Sequence, residues 1–583
     1  MNKTNDKLYK IRHSLAHLLA KAALEYDPNA KIAIGPPVDN GFYYDFEFEK
    51  EVNDKTLKEL EKKMRSYLNK GFTVERYTLS PSEAKEKLKE QPYKLELLQD
   101  IEKEGEEISF YKIADFEDLC EGPHVSDSSE INSKALKLDK VAGAYWRGDE
   151  KNKMLTRIYG LAFETEKELQ DYLQMREEAK KRDHRKLGKE LGLFTFSELV
   201  GAGMPLYTPK GAIVLNEIIN LSREFNKSLG FQEVITPNVN KAELFKVSGH
   251  YEQYKEDMLS VRSQYVSDEM FLKPMNCPQH TQIYASQPRS YKDLPVRFSD
   301  FANLYRDERP GELSGLTRLR AFRQDDGHSF CREDQIESEI SNILSAIQEV
   351  LKIYNVDYKM RLSLRDPNNK EKYIGGDEIW NNAESVLRNL LKEKNISFTE
   401  EEGEAAFYGP KIDIVAIDAL GREWQISTVQ VDFNMPKRFA LEYTDKDGSK
   451  KTPVMIHRAL VGSPDRFLGL LIEHYAGKFP LWLAPTQIYI LPIADAHTKY
   501  AQELLQILQE QGFRADIKEP SDSLGKRIRE FKKDKVPYAL VLGDKEANER
   551  KVTAERRDGK KLELPLDEFM QLIKDEVANR TLW

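Results

Sequence analysis

Cysteine is scarce in this sequence. Cys120, Cys277 and Cys331 are its only thiols in 583 residues, too few for a disulfide-stapled secreted scaffold and few enough that each becomes a candidate ligand or nucleophile. Long apolar runs are missing too, none approaching the ~20 residues of a membrane span. The first ten residues, Met1 to Lys10, are polar and carry no signal-peptide core. A cytoplasmic chain with no membrane partner is expected. Positive charge is not in surplus: the net charge is −9, so the total gives no argument for a nucleic-acid partner. No internal repeat at the scale of about 20–50 residues is present, which excludes a solenoid, and there is no low-complexity tract.

With 40% hydrophobic and 32% charged residues, the composition is that of a globular protein. The length calls for three or four domains. Residues 1–165 combine a helix from Ile11 to Glu25 with an alternating, strand-like run from Phe42 to Phe48. Residues 166–191 are heavily charged, with Leu169, Leu173 and Leu187 as sparse apolar points, and predict a long exposed linking helix. Residues 192–485 are mixed α/β with frequent Gly and Pro. Residues 486–583 alternate strand-like runs (Ile488–Ile493, Tyr538–Leu542) with a helical one (Thr498–Gln511), as a small α/β domain does. An α+β multidomain protein follows.

The third segment carries most of the chemistry. Arg306-Asp307-Glu308 precedes a Gly/Ser-rich turn and then Arg318, Arg320, Phe322 and Arg323. Two short strands joined by a loop would aim these at one side, with Phe322 able to stack on a base and arginines able to grip phosphates through bidentate forks. Further on, Gly462-Ser463-Pro464-Asp465-Arg466 opens an apolar helix, Phe467 to Tyr475. Arg466 adds its charge to a positive helix end, a place suited to anions. Each motif alone is more often an ordinary salt bridge or first-turn arginine. In this order and spacing they resemble motifs 2 and 3 of the class II aminoacyl-tRNA synthetases, and Gly230 to Pro237 resembles motif 1. The resemblance implies an antiparallel-sheet catalytic core that binds ATP with Mg²⁺, and a homodimer formed through motif 1.

Cys277 in Met275-Asn276-Cys277-Pro278, His328 in Gln324-Asp325-Asp326-Gly327-His328, and His457 just before motif 3 make a three-ligand zinc set with an open position. Singly, each would more often be a buried thiol or a hydrogen-bonded imidazole. Together with Phe407 to Lys411, Trp424 to Gln430 and Ser248-Gly249-His250, they resemble threonyl-tRNA synthetases over essentially the whole chain. Zinc suits that substrate. An apolar pocket separates threonine from near-isosteric valine only ~100-fold, whereas a metal can bind both the amine and the β-hydroxyl. The resemblance implies that Gln324, Asp326, Tyr408 and Gln425 surround threonine. It gives Arg306, Glu308, Arg318, Phe322 and Arg466 to ATP, and makes the tRNA for threonine the acceptor.

His13 and His17 share a helix face at i and i+4, and Asp118-Leu119-Cys120-Glu121-Gly122-Pro123-His124 adds a thiol and a third imidazole. By spacing this could be a four-ligand zinc site. The set also resembles the editing domain that threonyl- and alanyl-tRNA synthetases share. There the same residues, with Lys94, are expected to hold a hydrolytic water without metal. Serine keeps the hydroxyl and lacks one methyl, worth only about 10–200-fold, so a second, hydrolytic pocket is needed.

From Lys526 to Lys561, 13 Lys/Arg face 7 Asp/Glu, a solvated surface or an RNA footprint. Val541 to Glu546 and Ser523 to Arg529 resemble a class II anticodon-binding domain, implying contacts from Arg529, Lys545 and Glu546. Glu555 and Ser521 depart from the residues usual there. A small ubiquitin-like domain found ahead of the editing domain in many bacterial relatives is not expected. The alternatives are another class II synthetase, such as a prolyl or seryl enzyme, and a non-catalytic tRNA-binding regulator. The Cys/His/His set speaks against the first, and the retained Arg306 and Arg466 against the second.

Overall fold

The computed structural model describes residues 7–418 and 421–583, in two compact units that divide between Glu177 and Glu178. In the first, the helix Lys7–Tyr26 begins about one turn earlier than expected. Its apolar stripe, including Leu15, Leu18, Leu19 and Ala22, packs on Phe42, Tyr44 and Phe46. Those three alternate along the strand Gly41–Glu47, so they share one face. The strand lies between Lys31–Ile32 and Met154–Ala162 in a five-stranded antiparallel sheet. Asp45, on its other face, is also buried. Arg157 from the neighbouring strand satisfies its carboxylate with two hydrogen bonds, 2.6 and 2.7 Å long, the bidentate pairing a buried charge requires.

A second, three-stranded antiparallel sheet ends in the strand Phe116–Leu119, which delivers Cys120. The helix Pro92–Glu104 starts with proline in its first turn, where no amide is needed, and carries Lys94. The linking helix expected over 166–191 is instead two helices, Glu166–Arg182 and His184–Glu190. Asp183 leaves the helical conformation (φ −47°, ψ 121°), and its side chain accepts the amide of Arg185. A short carboxylate that can cap a new first turn competes with continuing the old one.

In the second unit an eight-stranded sheet runs in the order Gln232–Glu233, Val296–Asp300, Asp326–Cys331, Val454–Ala459, Glu423–Asp432, Lys411–Ile417, Asp357–Leu364 and Phe398–Glu402. All neighbours are antiparallel except the two outermost pairs. Ile412, Ile414, Val429, Val431 and Ile456 face a core shared with Ile340, Ile343, Ile347 and Leu351 of the helix Ile336–Tyr354. The side chains between them face a cleft. The helix Pro209–Ser228 and the short strand Gln232–Glu233 supply the motif 1 pattern. Residues 486–583 belong to the same compact unit and keep a core of their own. They form a five-stranded mixed sheet in which Ala515–Ile517, Ile488–Pro492 and Tyr538–Leu542 are parallel and two antiparallel strands follow. This is the small α/β pattern expected.

Leu19→Ala empties a fully buried position in the first unit and is expected to cost about 2–5 kcal/mol. Amide hydrogen exchange should accelerate across residues 7–177 and stay unchanged across 178–583. Unaltered protection of the helix Lys7–Tyr26 is the opposing result.

Candidate functional site

The cleft on the polar face of the large sheet has a volume of about 840 Å³. The antiparallel register places His328 directly opposite His457, and His457 opposite Gln430. Laterally paired residues share a face, so the three side chains form a row pointing into the cleft. Cys277 joins them from the first turn of the helix Cys277–Ala285. The ligand atoms of Cys277, His328 and His457 all lie within 4.8 Å of one another, and all three residues are buried. His328 Nε2 is 3.0 Å from His457 Nδ1. The outer nitrogens are held as well: His457 Nε2 is 3.0 Å from Asp432 Oδ2, and His328 Nδ1 is 2.7 Å from Nδ1 of His280. Imidazoles fixed from behind by such partners are the usual arrangement of metal ligands. A tetrahedral ion with bonds of about 2.0–2.3 Å needs donor atoms roughly 3.3–3.7 Å apart, and this soft S/N/N set fits zinc with small adjustments. Burial pushes the Cys277 thiol well above its ordinary range and the His328 imidazole well below its own. A cation would reverse the first preference by binding the thiolate.

Beside this group, Asp326 receives Asn276 Nδ2 at 3.1 Å, and burial raises its carboxyl above the usual range. Its neighbour Asp325 is turned away and bound by Arg458 at 2.8 Å. The Tyr408 ring stacks on His457, with centroids 4.8 Å apart, and its hydroxyl donates to Gln430 Oε1 at 2.6 Å. Gln324 and Gln425 line the same cleft. Gln430, which no sequence argument assigned, lines it too. A spacing of five puts Gln425 and Gln430 on opposite faces of a regular strand. The register of the strand Glu423–Asp432 shifts at Ile426, and this bulge brings Gln425 into phase with Thr428 and Gln430, as bulges beside sites commonly do. Gln425 Nε2 and Thr428 Oγ1 then share Asp413 Oδ1, at 2.7 and 3.3 Å. Gly462 covers the bulge with φ +69°, and a Cβ there would stand 2.1 Å from the Ile426 carbonyl oxygen.

The motif 2 residues lie on and between the paired strands Asn303–Tyr305 and Ala321–Arg323, the hairpin expected. Phe322 is flanked by two guanidinium groups, Arg306 at 5.2 Å and Arg466 at 5.4 Å from its ring centre. Glu308 accepts Arg318 Nε at 2.7 Å. Ser463 caps the helix Pro464–His474 by accepting the amide of Arg466 at 3.3 Å. Burial, with Arg306 nearby, lowers the Arg466 guanidinium to about 10. Its Nε is buried with no partner among the described residues, and the residue lines the cleft.

The first unit holds the second cluster. His13, His17, Cys120 and His124 again have ligand atoms within 4.8 Å of one another, and hydrogen bonds set the proton positions of His13, Cys120 and His124. His13 Nδ1 is 3.2 Å from the carbonyl of Pro123, which only accepts, so Nδ1 carries the proton and Nε2 a lone pair. Cys120 Sγ, 3.3 Å from that Nε2, donates to it. The sulfur is also 3.3 Å from His124 Nε2 and receives its proton. His124 Nδ1 then accepts from the Ser14 hydroxyl at 3.1 Å, which takes the amide of Val125 at 3.2 Å. The whole chain is satisfied by neutral groups. Burial favours that state, holding His13 down at about 4 and His124 lower than usual, and pushing Cys120 up to about 12.

His17 stands outside this chain. Its Nε2 is 3.9 Å from Asp118 Oδ2, and its Nδ1 is without a partner among the described residues. Asp118 also holds Lys94 Nζ at 2.6 Å and the Tyr44 hydroxyl at 2.6 Å. Asp118, Tyr44 and Ser14 were not singled out from sequence. Asp118 was the most accessible of them, since it lies two residues before Cys120 in extended chain and so on its side of the strand.

In the C-terminal segment Arg529 is exposed on the helix Leu524–Lys533, and Lys545 lies in the helix Asp544–Glu549 with its Nζ 2.9 Å from Glu563. Glu546 is committed locally, one oxygen accepting the Gly543 amide at 2.9 Å and the other the Thr553 hydroxyl at 2.7 Å. Glu555 lies 3.7 Å from Lys532.

Three family models match the chain: the class II tRNA synthetase core domain (G, H, P, S and T) at residues 256–475, an anticodon-binding domain at 487–576, and the threonyl and alanyl tRNA synthetase second additional domain at 108–159. Among curated relatives, the threonine–tRNA ligase of Rubrobacter xylanophilus is 48% identical over 99% of this chain and 90% of its own length. That of Gloeobacter violaceus is 45% identical over 99% and 93%. Among solved structures, the RNA binding domain of threonyl-tRNA synthetase from Cryptosporidium parvum is 37% identical, covers 67% of this chain and 98% of its own, and superposes with a TM-score of 0.65. Likeness of that extent, spanning both clusters and the nucleotide-type cleft, shows that this chain belongs to the threonine–tRNA ligase family.

Proposed function

We propose that the protein joins threonine to its tRNA at the expense of ATP and hydrolyses Ser-tRNA in its first unit. The observation that carries the reading is the convergence of Cys277, His328 and His457 in the cleft that also holds the paired arginines around Phe322. ATP, with Mg²⁺ on its phosphates, would stack its base on Phe322 beneath Arg466. Arg306 and Arg318 would hold the phosphates, and Glu308 would orient Arg318 through their ion pair. With the threonine carboxylate next to the α-phosphate, catalysis is mostly positioning and charge stabilisation. Zinc bound by Cys277, His328 and His457 would supply a Lewis acid whose free positions take the amine and β-hydroxyl of threonine, and valine would leave one unfilled. Asp326, held by Asn276, is beside that group to accept from the hydroxyl. Tyr408, Gln324, Gln425 and Gln430 close the pocket around it. The carboxylate would attack the α-phosphate and displace pyrophosphate, giving threonyl-adenylate, and the terminal ribose hydroxyl of the tRNA would then take the threonyl group and release AMP.

In the first unit the closed hydrogen-bond chain from Val125 to Pro123 supports a metal-free site. His13, Cys120 and His124 keep their shape there, while His17 and the Lys94–Asp118 pair are left to hold the water and the ester end. Arg529 and Lys545 are proposed tRNA contacts, with Glu546 fixing the turn that presents Lys545. A homodimer through motif 1 is supported by Ile235, an apolar side chain 94% exposed beside the strand Gln232–Glu233. No described helix is long and apolar enough to cross a membrane, consistent with a cytoplasmic enzyme.

The purified protein should contain one equivalent of zinc per chain, and Cys277→Ser should lose it along with at least ~100-fold of threonine-dependent pyrophosphate exchange. Full exchange without metal sinks the zinc assignment, and two equivalents in the parent would put metal in the first unit as well. Replacing His13 and His17 together by alanine should slow Ser-tRNA deacylation by about 10²-fold or more while threonylation persists. Deacylation at the parental rate would refute the editing assignment.

A further inference from the structure

His184 opens the helix His184–Glu190, outside the residues given a role above. It is 3% exposed, and both its ring nitrogens are used. Nδ1 lies 2.6 Å from Glu473 Oε1, and Nε2 accepts the amide of Leu316 at 2.9 Å. An amide only donates, so Nε2 bears the lone pair and Nδ1 the proton that goes to Glu473. The same carboxylate oxygen takes the His184 amide at 3.0 Å, and Arg422 binds the other oxygen. Asp183, His184 and Glu473 have the spacing of a metal site, but the imidazole has no lone pair to spare for an ion.

What the imidazole joins is informative. Leu316 lies in the loop of the hairpin that carries Glu308, Arg318 and Phe322, and it is fully buried. Glu473 lies in the last turn of the helix whose first turn carries Arg466. The loop is shaped to receive the ring: Gly315 has φ +48°, and a Cβ on it would meet His184 Nε2 at 2.2 Å. On the helix, a Cβ at Gly469 would lie 3.6 Å from His184 Cδ2. Loop and helix are thus tied to one ring, each by a hydrogen bond and each with a glycine against it.

We infer that His184 is a positioning residue for ATP, locking the motif 2 loop to the motif 3 helix so that Arg318 and Arg466 address one nucleotide. The inference rests on the ATP reading of the cleft. It predicts a loss mainly in nucleotide binding, because His328, His457, Gln425 and Gln430 of the threonine pocket lie on strands that supply neither the loop nor a hydrogen-bond partner of the ring.

The test is threonine-dependent pyrophosphate exchange by the full-length enzyme. His184→Ala should raise the KM for ATP by about tenfold, the size expected when a buried amide loses its acceptor. The KM for threonine should change less than about twofold. His184→Gln, which keeps an acceptor for Leu316, should recover most of the loss. Gly315→Ala, which leaves His184 and Glu473 in place and displaces the loop, should reproduce it even if the alanine variant at 184 folds poorly. A fall in kcat with both KM values unchanged would mean fewer folded sites and would overturn the inference. So would an unchanged KM for ATP in Gly315→Ala. If the parent shows no exchange, the ATP reading fails and the positioning role fails with it.

Discussion

The cleft depends on the lateral registry of three neighbouring strands, Asp326–Cys331, Val454–Ala459 and Glu423–Asp432. Their pairing sets His328, His457 and Gln430 in one row and turns Val429, Val431 and Ile456 to the opposite, apolar face. Because the side-chain period of a strand is two, a slip of one residue would bury the row and expose the core. The same hydrophobic packing that stabilises the sheet therefore holds the imidazole geometry. The helix that brings Cys277 completes the set from outside the sheet, and Cys277 is itself packed in a buried cluster with Phe298, Phe330 and Met455.

Much of this was legible in the chain. Imidazoles at i and i+4 among leucines could only share a helix face, and His13 and His17 do. The Cys277, His328 and His457 grouping, the motif 2 hairpin and the Arg466 helix end are where residue order put them. What escaped was anything that depends on local irregularity or on a partner remote in sequence. Gln430 was hidden because the bulge at Ile426 changes the phase of its strand. Tyr44 and Ser14 were hidden because their roles come from contacts across 74 and 111 residues of chain. The break at Asp183 was readable in principle, since Asp before a run of helix formers is a capping signal. Glu546 shows the reverse case, a residue whose motif suggests recognition and whose carboxylate is used to cap a turn.

The two clusters use similar residue types for different ends. In the second unit the outer nitrogens of His328 and His457 are tied back and the inner ones converge with Cys277, which suits a cation. In the first unit sulfur and nitrogen are joined to each other through neutral hydrogen bonds. Donor spacing alone does not separate these cases, and the direction of the protons does.

That direction has a consequence of its own. The run in the first unit starts at the amide of Val125 and stops at the carbonyl of Pro123, two main-chain groups whose polarity is unalterable. No concerted flip can turn the bonds around, so this string cannot serve as a reversible wire carrying hydrogen ions to solvent. It holds Ser14, His124, Cys120 and His13 in a single order, pinned at both ends to main chain that cannot reverse.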